Sequence, residues 1–234
     1  MSQEVLKHFA SSEELAKQVA QDLAARVLTL VQNNATHVVV TGGRVGIKAL
    51  SELAPLLKGK DLTNLHLWWG DERFVDEESQ ERNFVQASEA LLLHIEIPAH
   101  NIHPMPSKKG LSLDEAAANF ASELVSASPE FDIVLLGMGP DGHVASLFPG
   151  AKTQKYGSLV VTESNSPKPP AERISLSFEA LSSAREVWFL VAGEDKACAV
   201  SEVFVKKELP AARVTGKELT RWYLDAAAGK KLTF

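Results

Sequence analysis

Apolar positions along the chain change their period again and again. Behind Ser11 and Glu14, a pair that opens a capping box, Leu15, Val19, Leu23 and Val27 recur every four residues, so the spacing predicts an amphipathic helix. THVVVTGG then condenses into a short β-branched run ended by two glycines, and a helical pattern resumes from about Arg44 to Leu57. LHLWWG repeats the strand signal. It is followed by the charged stretch DERFVDEESQERN, expected to be a loop, and by a helix carrying Phe84, Ala87, Leu91 and Leu92.

The second half continues the alternation. His100 to Gly110, with Pro104 and Pro106, reads as a loop, and Ser112 with Glu115 opens a further helix. FDIVLLGMG is the most apolar strand candidate, as expected of a central parallel strand covered on both faces. SLVVTES, RISLSF and EVWFLVAG are predicted as further strands, with the Pro-rich NSPKPPAE between the first two as a turn or short exposed loop. A helix around Lys196 to Lys207, a strand RWYLD and a short C-terminal helix complete the pattern. The prediction is an α/β protein: a doubly wound, mainly parallel sheet with helices on both faces, Rossmann-like in three α/β/α layers.

Composition narrows the partners. With 234 residues, 45% hydrophobic and 23% charged, the chain has the make-up of an ordinary globular protein and is remote from disordered ones. The net charge of -6 is spread without a basic run, which argues against nucleic acid as a partner. No segment approaches the length of about 18 apolar residues that a membrane span needs, so no membrane partner is expected. Cys198 is the one cysteine, which excludes an intramolecular disulfide and a cysteine-based metal cluster. A reducing compartment fits, and since MSQEVLKHFASSEEL has no apolar stretch of signal-peptide length, the expected location is cytoplasmic.

Doubly wound folds bind ligands in loops at the carboxyl ends of their strands, and such loops here carry unusual residues. Thr41-Gly42-Gly43-Arg44 follows VVV and precedes a helix, where backbone N–H groups can cradle an anion and Arg44 can add charge; a plain chain reversal is the alternative, since no G-x-G-x-x-G is present. Gly70-Asp71-Glu72-Arg73 ends the next strand. Asp71 there suits a sugar hydroxyl or a proton transfer, and Arg73 a phosphate or carboxylate, against the alternative of a solvated turn. The stretch GMGPDGHVASLFPG after the central strand holds Asp141 and His143, a pairing that suits a general base with its orienting or substrate-binding acid. Ser146, three residues on, lacks the G-x-S-x-G elbow of a nucleophile, and no H-E-x-x-H pair indicates zinc. Arg173 at the start of RISLSF and Lys196 in AGEDKA are cations beside further strand ends. The remaining histidines, His8, His37, His66, His94, His100 and His103, are read as structural.

Taken in order, TGGR, WWGDERFV, LLGMGPDGHVASLFPG, RISLSFEAL and VAGEDKA resemble the 6-phosphogluconolactonase family, part of the superfamily that also holds glucosamine-6-phosphate isomerases; ELPAARV and RWYLD fit as well, so nearly the whole chain is covered. The resemblance implies one catalytic domain over residues 1–234, hydrolysis of 6-phospho-D-glucono-1,5-lactone to 6-phosphogluconate in the oxidative pentose phosphate pathway, and no metal or organic cofactor. The partner implied is a small sugar-phosphate lactone, bound by a monomer or small homo-oligomer. His143 matches the family's water-activating histidine, and Asp71 and Asp141 match acidic residues near the sugar. Thr41, Gly42, Gly43, Arg44, Arg173 and Lys196 match phosphate and substrate positions, with Arg73 nearby.

Two departures stand out. Val45-Gly46 replaces the Thr-Pro or Ser-Pro of many members, losing a hydroxyl and a proline that favours a helix start. Arg82 replaces a Ser before Asn83 and is expected to move or add positive charge at the rim. The rival readings are a glucosamine-6-phosphate deaminase, whose comparable loop has Glu five residues after the His where this chain has Phe148, and a non-catalytic sugar-phosphate sensor on the same fold.

Overall fold

A computed structural model describes residues 2–206 and 208–232. In chain order it contains β1 (Gln3–Phe9), α1 (Ser12–Leu30), β2 (Thr36–Val40), α2 (Gly43–Leu57), β3 (Leu65–Trp69), β4 (Asp71–Arg73), α3 (Asn83–Ala90), β5 (Ile102–His103), α4 (Leu113–Ala127), β6 (Phe131–Gly137), β7 (Gln154–Tyr156), β8 (Val160–Glu163), β9 (Arg173–Leu176), α5 (Phe178–Ser182), β10 (Glu186–Val191), α6 (Ala197–Val205) and β11 (Leu219–Asp225). Seven strands form a wholly parallel sheet in the order β1-β11-β10-β6-β2-β3-β5, which places FDIVLLG at its centre as its apolar run requires.

Strand residues alternate between two cores. Val38, Val40, Ile133, Leu135, Trp188 and Leu190 face the layer of α1 and α2, meeting Leu15, Val19, Leu23, Leu50 and Leu53. Val39, Val134, Leu136, Phe189 and Trp222 face the opposite layer, where they meet Phe120 of α4, Val200 of α6 and residues of a second sheet. Period 2 in the strands and nearly 4 in the helices thus bury both faces of the sheet. Truncating a fully buried ring such as Phe189 to alanine costs about 3–5 kcal/mol.

The three-layer expectation holds, with local differences. SLVVTES and RISLSF do form strands, but they belong to a separate antiparallel sheet, ordered β4-β9-β8-β7, that lies in the second layer. The stretch expected to be a charged loop supplies its first strand, because Asp71, Glu72 and Arg73 pair with Ser175, Ile174 and Arg173. Gln3–Phe9, which carries no clear alternation, becomes an edge strand only by pairing with β11. Ser112 and Glu115 close a reciprocal capping box, whereas Ser11 caps the Glu14 amide while the Glu14 carboxylate reaches back to the amide of Ala10. At the carboxyl end, the Asp225 side chain accepts from the Ala228 amide at 2.7 Å and residues 226–231 form turns, so the expected terminal helix is absent among the described residues. The helix expected up to Lys207 ends at Val205, and Lys207 itself lies outside the described residues.

Candidate active site

The carboxyl ends of β2, β3, β6 and β10 open onto a cleft of about 280 Å³ that is lined by Thr41, Gly42, Gly43, Arg44, Asp71, Arg73, His143, Arg173 and Lys196. These are the residues singled out from the sequence, except Asp141, which reaches the cleft through its contact with His143. Asn83, Met138, Ala145, Phe148, Lys168 and Pro169 line it as well.

The glycine turn is built by close approach. Gly42 is the N-cap of α2, and a Cβ there would lie 1.9 Å from Asn83 Oδ1, so only glycine lets the turn meet the start of α3. Gly43 has φ of +78°, which glycine adopts without strain. Gly46, one of the two departures from the family pattern, tucks the first turn of α2 over Thr41, since a Cβ would stand 2.8 Å from the Thr41 carbonyl oxygen. The helix starts at Gly43 without the missing proline. Its first amides, unpaired within the helix, face the cleft side, where the helix dipole favours an anion.

Two adjacent carboxylates in β4 diverge. Asp71 is 8% exposed; its Oδ2 accepts from the Ser146 hydroxyl at 2.6 Å and its Oδ1 from Asn83 Nδ2 at 3.2 Å. Glu72 is fully buried and accepts from the amides of Arg73, Asn83 and Phe84 at 2.8, 2.7 and 2.9 Å, thereby capping α3. Burial pushes its carboxyl above the usual range, against the pull of Arg82 and those amides. Arg82 does not reach the rim. Its guanidinium is 3% exposed, lies 3.5 Å from Glu72 and donates to the Met105 carbonyl at 2.5 Å, so the extra charge neutralises a buried carboxylate instead of joining the cleft.

The loop after β6 folds His143 back onto Gly139. The Gly139 amide donates to the His143 carbonyl at 2.9 Å, and a Cβ on Gly139 would stand 2.1 Å from the imidazole Nδ1. Asp141 Oδ1 lies 2.5 Å from that same nitrogen, which commits Nδ1 to the carboxylate and leaves Nε2 as the ring nitrogen available to a substrate. Burial holds the His143 pKa below its ordinary value, with Asp141 opposing and Lys168 adding to the depression. The imidazole is therefore neutral at neutral pH. Asp141 stays below the usual carboxylate range because the bond and charge of His143 outweigh its partial burial. Phe148 packs its ring 4.6 Å from the imidazole. Ser146 is 1% exposed and gives its hydroxyl to Asp71, so it is not set up as a nucleophile beside His143.

Positive charge dominates the walls, with Arg44, Arg73, Lys168, Arg173 and Lys196 against the carboxylate of Asp71. Arg73 and Arg173 stand directly opposite each other in the β4–β9 pair, an arrangement that like charges disfavour unless an anion lies between them. Arg73 donates to the Glu81 carbonyl and Lys196 lies 3.0 Å from Asp195. Arg173 turns Nε and Nη2 onto the carbonyls of Pro170, Lys168 and Pro169 at 2.8, 3.0 and 3.2 Å. The sequence reading missed Lys168 because NSPKPPAE looked like an ordinary turn; the available signal was a lysine fenced by prolines a few residues before Arg173, itself singled out as a site residue. Among the described residues no group of three or more His, Cys, Asp or Glu side chains is arranged to hold a metal ion, and no helix is long and apolar enough to cross a membrane.

A doubly wound α/β sheet whose strand-end cleft joins an Asp-bonded histidine to a ring of cations defines a site for a small anionic ligand beside a proton-transfer group. Residues 10–222 match the model of the family described as glucosamine-6-phosphate isomerases/6-phosphogluconolactonase. The chain is 42% identical to a 6-phosphogluconolactonase of Mycobacterium leprae over 95% of its own length and 93% of the relative's. It is also 42% identical to one of Streptomyces coelicolor, over 92% and 90%. The solved 6-phosphogluconolactonase of Thermotoga maritima superposes with a TM-score of 0.85 at 30% identity, covering 95% of this chain and all of that one. A monomeric glucosamine-6-phosphate deaminase shares the fold at a TM-score of 0.79 and 18% identity. The chain belongs to the glucosamine-6-phosphate isomerase/6-phosphogluconolactonase family.

Proposed function

We propose that the cleft hydrolyses 6-phospho-D-glucono-1,5-lactone to 6-phosphogluconate, the lactonase step of the oxidative pentose phosphate pathway. The observation that carries this reading is the Asp141–His143 pair, with a neutral imidazole and a free Nε2, set beside the cations of the same cleft. The sequence identities to the lactonases point the same way. Phe148 lies against the imidazole, giving that wall no second carboxylate for the proton shuffling of an aldose–ketose isomerisation, which favours the lactonase over the deaminase.

In the proposed reaction the amides of the Gly42–Gly46 turn, Arg44 and Lys196 hold the phosphate, placing the lactone carbonyl beside His143. Nε2 takes a proton from a water molecule as its oxygen bonds to C1. The tetrahedral intermediate then collapses, the bond from C1 to the ring oxygen breaks, and Nε2 returns the proton to that oxygen. The acid formed ionises to the carboxylate. Asp141 fixes the tautomer throughout, and Asp71, held by Ser146 and Asn83, presents a rigid acceptor to a sugar hydroxyl. Acid release from freshly prepared lactone, measured above its spontaneous hydrolysis, tests this. Ammonia released from glucosamine 6-phosphate, or binding of 6-phosphogluconate without turnover of the lactone, would replace it with one of the rival readings.

A further inference from the structure

The segment between β8 and β9 is built as a strap. Its ends are closed by the Ser166 amide donating to the Ala171 carbonyl at 3.0 Å, and the Phe74 amide ties it to the end of β4 by donating to the Glu172 carbonyl at 3.0 Å. At its middle the Lys168 carbonyl accepts from the Ser166 hydroxyl at 2.9 Å and from Arg173 Nη2 at 3.0 Å. Arg173 also binds the next two carbonyls, so its 5%-exposed guanidinium clamps three successive residues. Pro169 and Pro170 have no N–H to compete for these bonds.

The clamp carries one charge to the cleft. Lys168 lines the cleft, is solvent-exposed, and among the described residues forms no ion pair, whereas Lys196 is matched by Asp195. A solvated, unpaired ammonium at a cleft mouth suits a full negative charge already present on the bound molecule. A developing oxyanion calls instead for dry, preorganised donors. Resting on the lactonase reading above, we infer that Lys168 binds the substrate's phosphate and that Arg173 is a positioning residue that acts through the strap.

The test compares two substrates. For the phosphorylated lactone, Lys168→Met raises KM and weakens inhibition by 6-phosphogluconate roughly 10- to 100-fold, the loss of one charge-assisted bond, with kcat within about threefold of wild type. For unphosphorylated glucono-1,5-lactone, kcat/KM on the plateau above the acidic limb falls by less than about threefold, far less than the loss on the phosphorylated lactone. Arg173→Lys keeps a charge but cannot fork across three carbonyls; it reproduces the KM effect, and the double variant is no worse than the more affected single one. Lys168 also depresses the His143 pKa, so a rise in the acidic limb of the kcat/KM profile in both variants reports displacement of Lys168 with the strap. Equal losses on both lactones, no loss in Lys168→Met, or additive losses in the double variant overturn the inference. The Lys168→Met arm stands even where Arg173→Lys fails to fold. A wild-type protein that turns over neither lactone overturns the underlying lactonase reading instead.

Discussion

Two histidine regions lie at opposite ends of the parallel strands, and burial lowers the basicity of both. At the amino ends of β2 and β3, His37 and His66 stack at 4.6 Å and His66 lies 3.1 Å from His103. Trp68 stacks on His103 and donates to His37 Nδ1 at 3.1 Å, so that nitrogen must be unprotonated. Burial, then the neighbouring histidines, push His37 down to about 4. At the carboxyl end of β6, burial also lowers His143, but a carboxylate sits on Nδ1 and a cation-lined cleft opens before it. The difference teaches that a perturbed pKa marks burial, while a site needs an orienting partner and an approach for substrate.

Replacing His143 with alanine is the sharpest way to break this contrast. Turnover of the lactone should fall about 10²- to 10⁴-fold with 6-phosphogluconate affinity little changed, the signature of a lost proton-transfer group. Wild-type turnover in that variant would remove His143 from the mechanism. Asp141→Asn is expected to lower kcat roughly 10- to 100-fold, a share of the base's contribution. Since the Asp141 carboxylate raises the His143 pKa, its loss should move the acidic limb of the pH profile to lower pH; a limb that moves upward contradicts the assignment.

Ser146→Ala separates the scaffold of the loop from its chemistry. It removes the 2.6 Å donor to Asp71 and is expected to destabilise the fold by about 1–3 kcal/mol in a denaturant titration. The smallest effect concerns the other histidine region. His37 titrates lower in the folded chain than the ordinary 6.5, so the unfolded chain binds the proton first and stability falls as pH drops from 6.5 toward about 4. His37→Gln should flatten the decline of Tm over that window by a few degrees, leaving the acidic limb of catalysis in place. A limb that follows His37 would join the two regions functionally.

Much of this was legible before folding. Apolar period located α1, α2, α3, β2, β3 and β6, and the Ser112/Glu115 capping pair located α4, because helices and strands that bury one or both faces must repeat with the geometry of their backbone. The strand-end loops exposed Asp71, Asp141, His143 and the glycine turn, because ligand sites in such folds lie there. Residues 71–73 were hidden as a strand, since three charged residues carry no strand pattern until Ser175, Ile174 and Arg173 pair with them. Arg82 was misplaced at the rim, because nothing local announces that Glu72, ten positions earlier in the chain, is buried 3.5 Å from its guanidinium; the partner is defined by packing. Lys168 was missed because a loop becomes a wall of the cleft only when Arg173 clamps it.

The sequence by itself determined the layered α/β architecture, the chemical types at the strand ends and the resemblance that joins them, since backbone period and local turn chemistry act over a few residues. The tertiary structure decided which charges meet. Of two adjacent carboxylates it turned Asp71 to the cleft and buried Glu72 under a helix, and of the arginines it sent Arg82 inward and left Arg44 facing the site. Charge acts over ångströms in space, and those distances are set by residues from β4, α3, β6 and β9 that lie far apart along the chain.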